Sequence, residues 1–156
     1  MAKKILIAFD DSENAMRAVS YIAETFSPNH TVTLFSVVPD TQSMCEMNSP
    51  ELTPYFRTQQ NAFCTLEDQK RLLLQDAMKK AKEHLVDAGF AEERIQLRLE
   101  KRQKGIARDI IAEAAKGYDL VVLGKKGVSG VKDFLLGSTS QKVLYGAGDV
   151  SVLFVG

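Results

Sequence analysis

The 156-residue sequence has no tryptophan, two cysteines, four prolines and no excess charge of either sign, with 20 Lys plus Arg against 20 Asp plus Glu. Each scarcity excludes something. Cys45 and Cys64 are too few for the disulfide framework of a small secreted domain, and with no ligand spacing between them they read as incidental thiols. Balanced charge argues against a protein that holds nucleic acid or an anionic membrane by a one-signed surface. Long hydrophobic runs are missing too. The run Ile5 to Phe9 has five apolar residues, short of the roughly 7 to 15 of a secretory h-region, and nothing approaches the roughly 18 of a membrane span. The chain therefore reads as an entire, untagged cytoplasmic protein, one domain over 1–156, contacting neither nucleic acid nor membrane. His30 and His84 have no partner at metal-ligand spacing and read as solvated.

What is present is a change of period along the chain. Ile5 to Phe9 is a continuous apolar run between charges, as expected of a strand covered on both faces of a parallel sheet. From Ser12 the apolar residues Ala15, Ala18, Val19, Ile22 and Phe26 recur at helical spacing. Thr31 to Val38 is β-branched and aromatic, a second strand. Residues 39–65 show neither period and carry three prolines, so they read as a mobile insertion. Leu66 to Ala88 is the next helix, ended by Gly89. Ile95 to Glu100 alternates strictly, which predicts an edge strand with one wet face. A helix with Ile106, Ile110, Ile111 and Ala114, a buried strand Leu120 to Leu123, a short helix over 138–147 and a last strand over 150–155 complete the chain.

This order predicts an α/β fold: a doubly wound five-stranded parallel sheet, strand order 3-2-1-4-5, with helices on both faces. Ligands of such sheets sit beyond the C-terminal strand ends where the winding reverses, here between the first and fourth strands. The turn after the fourth strand begins Gly124-Lys125-Lys126-Gly127, and four of the ten glycines fall in the fourteen positions from Gly124 to Gly137. Glycines let backbone amides close on an anion, and Ser138, Thr139 and Ser140 then open a helix whose first N–H groups point the same way. Lys125, Lys126 and Lys132 add positive charge. A tight turn followed by an ordinary helix cap is the competing reading of the same residues. Neither a P-loop nor a G-x-G-x-x-G after the first strand is present.

Gly124-x-x-Gly127, nine residues, then Gly137-Ser138 resembles the glycine motif of ATP-binding universal stress proteins. The likeness extends through Asp10 with Ser12, Leu34 to Val37, Asp119 to Gly124 and Val152 to Val155. It implies a stress-response protein binding ATP with magnesium. Ala8, Phe9, Asp10, Ser12 and the backbone of Val37 would lie about the base, ribose and metal, with Asp10 the metal ligand. Leu123, Gly124, Lys126, Gly127, Gly137, Ser138, Thr139 and Ser140 would hold ribose and phosphates. Asp11, Phe9 and Ser151 depart from residues common in the family. The last strand is an uncharged edge, Val152-Leu153-Phe154-Val155, which a second copy would cover as a homodimer; the family pairs in this way. A downstream protein partner is implied, and ATP turnover would be slow at most. Two other readings stand beside this one. One is a nucleotide-independent interaction protein. The other is a phosphoryl-accepting receiver domain built on Asp10, Asp11 and Lys125, which would need a central third strand.

Overall fold

The computed structural model describes residues 1–47, 53–125 and 137–156. Strand β1 (Lys4–Ala8) supplies the centre because Ile5, Leu6 and Ile7 are apolar on both faces and fully buried. Helix α1 (Glu13–Thr25) follows. Its N-cap is Ser12, whose hydroxyl accepts from the Ala15 amide, and its stripe of Ala15, Ala18, Val19 and Ile22 is buried. Strand β2 (Thr31–Val38) pairs with β1 in parallel, from Lys4 opposite Thr31 to Ala8 opposite Phe35.

Two helices then precede the third strand: the short α2 (Gln42–Cys45) and the 34-residue α3 (Pro54–Asp87). Strand β3 (Ile95–Lys101), helix α4 (Ile106–Ala114), strand β4 (Leu120–Gly124), helix α5 (Ser138–Gly146) and strand β5 (Ser151–Val155) complete the order. The sheet is all parallel in the order β3-β2-β1-β4-β5, as the periodicities predicted. Ile5, Ile7 and Phe9 pack with α1 and α3 on one face. Leu6, Phe35, Val121 and Leu123 pack with α4 and α5 on the other. With β3 at the edge, the arrangement a receiver domain requires is absent, and that reading falls.

The structure corrects three expectations. First, described residues of 39–65 are substantially helical: α3 begins at Pro54, capped by the Thr53 hydroxyl, which accepts from the Phe56 amide. The signal was legible, since proline suits the first helical position after a threonine cap. It was hidden because the positions turned toward the rest of the molecule, Gln60, Cys64, Glu67 and Arg71, are not apolar. Second, Cys45 and Cys64 are joined in a disulfide that ties α2 to α3. The thiols meet where α2 lies against the exposed first half of α3, and spacing alone does not report that. Cysteine usage therefore no longer supports a cytoplasmic setting. Third, the outer face of β3 is not simply wet: Arg98 lies over the Phe35 ring and pairs with Glu113 on α4. His30 also has a structural contact, its Nδ1 accepting from the Lys3 amide. No helix among the described residues is long and apolar enough to cross a membrane.

The disulfide makes a local prediction. In chain-entropy terms, a crosslink between residues 19 apart constrains the opened segment by about 3 kcal/mol. No side chain of α2 or of the first turns of α3 belongs to the core. Reduction is thus expected to speed proteolysis there by roughly ten- to a hundredfold while leaving the main thermal transition in place. Limited digestion followed by mass spectrometry, with and without dithiothreitol, checks this. Equal cleavage in both states would show that the bond constrains nothing.

Candidate functional site

After β1 the chain turns to α1 on one face, and after β4 it turns to α5 on the other. The crevice between them holds a pocket of about 270 Å³. Its floor is set by backbone. The Phe9 amide donates to Phe35 O at 2.8 Å and the Ser36 hydroxyl donates to Phe9 O at 2.6 Å, fixing the end of β1 beside β2. The Phe9 ring packs into the core, so this departure from the family pattern is accommodated by the fold.

Beyond Phe9, one carboxylate oxygen of Asp10 accepts from both the amide and the hydroxyl of Ser12. The Ser12 hydroxyl in turn caps α1. Asp10 is thereby held at the pocket wall by the same residues that start the helix. Among the described residues its second carboxylate oxygen has no hydrogen-bond partner.

The opposite wall is the start of α5. Gly137 is its N-cap and offers no side-chain acceptor, whereas α1 and α3 are capped by Ser12 and Thr53. The first amides of α5 and the positive end of its dipole are left to whatever enters the pocket. Ser138 and Thr139 line the pocket at this end. Ser140 is buried, its hydroxyl donating to Gly124 O at 3.3 Å, which fastens the first turn of α5 to the end of β4. The chain leaves at Lys125 and returns at Gly137, whose amide donates to Lys125 O at 3.4 Å.

Of the thirteen residues singled out in the sequence, eleven line this one pocket: Ala8, Phe9, Asp10, Ser12 and Val37 on one side, Leu123, Gly124, Gly137, Ser138, Thr139 and Ser140 on the other. Lys126 and Gly127, with Lys132 nearby in sequence, lie outside the described residues. Four lining residues were missed: Ala15, Phe35, Ile106 and Ile110. Ile106 and Ile110 belong to the apolar stripe of α4. The stripe's periodicity predicts burial and does not show that Ile106, the first helical residue, remains 46% exposed over a pocket. Among the described residues no cluster of three or more side chains could hold a metal unaided. A magnesium ion at Asp10 would have to arrive with its phosphates, which is its usual mode.

Fold and pocket together define a doubly wound α/β protein with a crevice at the β1/β4 switch point. The chain belongs to the universal stress protein family, whose sequence profile matches residues 1–155. Solved structures agree in fold. The universal stress protein UspA from Lactobacillus plantarum superposes with a TM-score of 0.70 at 22% identity, over 99% of this chain and 97% of that one. A universal stress protein from Archaeoglobus fulgidus gives 0.65 at 16% identity, over 100% and 99%. A universal stress protein solved in complex with cAMP gives 0.62 at 17% identity, over 99% and 96%. No curated protein matches the chain.

Proposed function

We propose that this protein is a regulatory ATP-binding member of its family, taking ATP with magnesium in the β1/β4 crevice. The observation that carries the reading is the pairing, across one pocket, of an α5 N-terminus without a side-chain cap and the tethered carboxylate of Asp10. The first suits phosphate oxygens and the second suits the cation that accompanies them. Apolar lining from Ala8, Val37, Leu123 and Ile110 suits a flat base. The family membership, and the cAMP bound by one relative, support a nucleotide over other anions. ATP is an intracellular solute, so the reading carries the cytoplasmic expectation with it, and the Cys45–Cys64 bond is then one that cellular reductants can open.

Calorimetric titration with ATP, ADP, AMP and cyclic AMP, each with and without magnesium, tests the proposal. ATP is expected to bind in the micromolar range and more tightly with magnesium. Asp10→Asn keeps the acceptor for Ser12, so it should leave α1 capped while removing the magnesium increment. Absence of binding for every nucleotide would overturn the reading in favour of a nucleotide-independent interaction protein.

The reading includes a homodimer through β5, which lies at the sheet edge with Val152, Leu153 and Phe154 only partly covered. Phe154→Glu would place a charge on that edge and is expected to weaken this pairing at least tenfold in sedimentation equilibrium. A self-association constant unchanged by Phe154→Glu removes β5 from the assembly.

A further inference from the structure

Helix α3 is longer than the core requires. Leu74 and Ala77 pack partly against the core and Met78, Ala81 and Leu85 are buried in it. The twenty residues before Leu74 extend about 30 Å, and none of them is buried. Their least exposed positions form a polar line, Gln60, Cys64, Glu67 and Arg71. Two of these hold α2: the Gln60 amide donates to Met44 O and Met47 O, and Cys64 is bonded to Cys45.

The apolar side chains stand on the neighbouring face instead. Tyr55, Phe56, Phe63, Leu66 and Leu73 are between 38 and 67% exposed. Phe56, Phe63, Leu66 and Leu73 are spaced seven, three and seven apart, the a and d positions of a helix-pairing seam. Together the five expose about 500 Å² of apolar surface, at the upper end of what an isolated chain leaves in water.

We propose that this stripe pairs with the same stripe of a second copy, antiparallel, about a twofold axis between Cys64 and Thr65. The spacing is self-complementary about that point. Phe56 of one copy falls opposite Leu73 of the other, Phe63 opposite Leu66, and Gln59 opposite Lys70. A parallel pairing would instead set Lys70 against Lys70 inside the seam and bring both sheets to the same end. In the antiparallel pair each helix tip reaches the level at which the other helix enters its own core, so the overlap ends where free surface ends. About 500 Å² of apolar area from each copy, together with the Gln59–Lys70 layers of the seam and Ala62 beside it, approaches the roughly 800 Å² per partner of a stable association. The pairing is separate from the β5 edge and does not depend on nucleotide.

The test is sedimentation equilibrium of the oxidised full chain at micromolar concentration beside Leu66→Glu/Leu73→Glu. Both sites are exposed, and circular dichroism verifies the fold. The variant is expected to show at most half the parent's average mass, falling from a larger assembly to two chains if β5 also pairs and from two to one if it does not. A folded variant with the parent's mass overturns the proposal and leaves the stripe to another occupant. A photo-crosslinking benzophenone side chain in place of Leu73 gives the register. It should capture a second copy near Phe56, with or without Phe154→Glu. Capture at Leu73 of the second copy, or no dimer, overturns the antiparallel pair.

Discussion

Glu113→Ala is expected to cost about 3 kcal/mol of folding stability, a loss typical of breaking a buried ionic group. That corresponds to a fall in Tm of roughly 6–12 °C for a chain of this size. Glu113 is the one carboxylate among the described residues that is buried, at 3% exposed, under α4 beside the edge strand. Its partners come from three places. Arg98 of β3 reaches it from the sheet, Lys116 donates at 3.0 Å from the end of α4, and the Tyr118 hydroxyl lies 3.2 Å away. Tyr118 is itself 3.2 Å from the buried Thr33 hydroxyl of β2. The chain of contacts thus satisfies a threonine that β2 turns toward an otherwise apolar layer. Removing the carboxylate leaves Tyr118 and Thr33 without their terminal acceptor and leaves Arg98 to Glu100 and the Phe35 ring. Glu113→Gln keeps an acceptor of the same shape, so it should lose less than alanine. The difference between the two variants in urea or thermal unfolding separates the hydrogen bonds from the charge.

The same group gives a pH dependence. Burial pushes the Glu113 carboxyl up, but hydrogen bonding from Lys116 and the charges of Arg98 and Lys116 outweigh it and hold the group below its ordinary value of 4.5. A carboxyl whose pKa is lower folded than unfolded contributes stability that is complete above the unfolded value. That contribution is lost as pH falls through the folded value. The stability gap between the parent chain and Glu113→Gln is therefore expected to be constant near neutrality and to narrow below about pH 4.5. A gap that widens in acid would show that the carboxyl is raised instead.

Such a network was not legible in the sequence, and the reason is physical. Helical periodicity marks Ile110 and Ala114 as inward, and a glutamate between them reads as solvated until a tyrosine four residues past the helix and an arginine on the edge strand are seen to converge on it. The strand order was legible, because the apolar runs of β1 and β4 and the alternation of β3 report how many faces each strand covers. The pocket was legible for a related reason. Glycines, hydroxyls and Asp10 cluster at turns, and the switch-point rule says which turns meet. The first half of α3 was not. The positions it turns toward the rest of the molecule are Gln60, Cys64, Glu67 and Arg71, so the usual apolar signature of a packed helix lies on its outside.

The two glycines that frame the pocket are expected to fail in opposite ways when replaced. Gly124 ends β4 against the start of α1. A Cβ there would lie 2.9 Å from Asn14 Cβ, 3.2 Å from its carbonyl oxygen and 3.3 Å from its carbonyl carbon. Two of those atoms are helix backbone and cannot swing aside, so Gly124→Ala must push α1 from the sheet, at about 2 kcal/mol, within the range for overpacking a core. Gly137 has φ −55° and ψ 157°, which any residue adopts, and among the described residues a Cβ there meets nothing within 4 Å. Gly137→Val should therefore leave stability within about 0.5 kcal/mol of the parent. The added branch would stand at the first amides of α5, where the phosphates of the proposed ligand belong, and ATP affinity is expected to fall at least a hundredfold. Thermal unfolding and calorimetry of the two variants together form the check. Full nucleotide affinity in Gly137→Val would move the phosphate site away from α5, and an unshifted Tm in Gly124→Ala would deny the close approach of β4 to α1. Of the two motif glycines among the described residues, Gly124 is thus required by the packing of β4 on α1, and Gly137 is expected to matter through the proposed ligand.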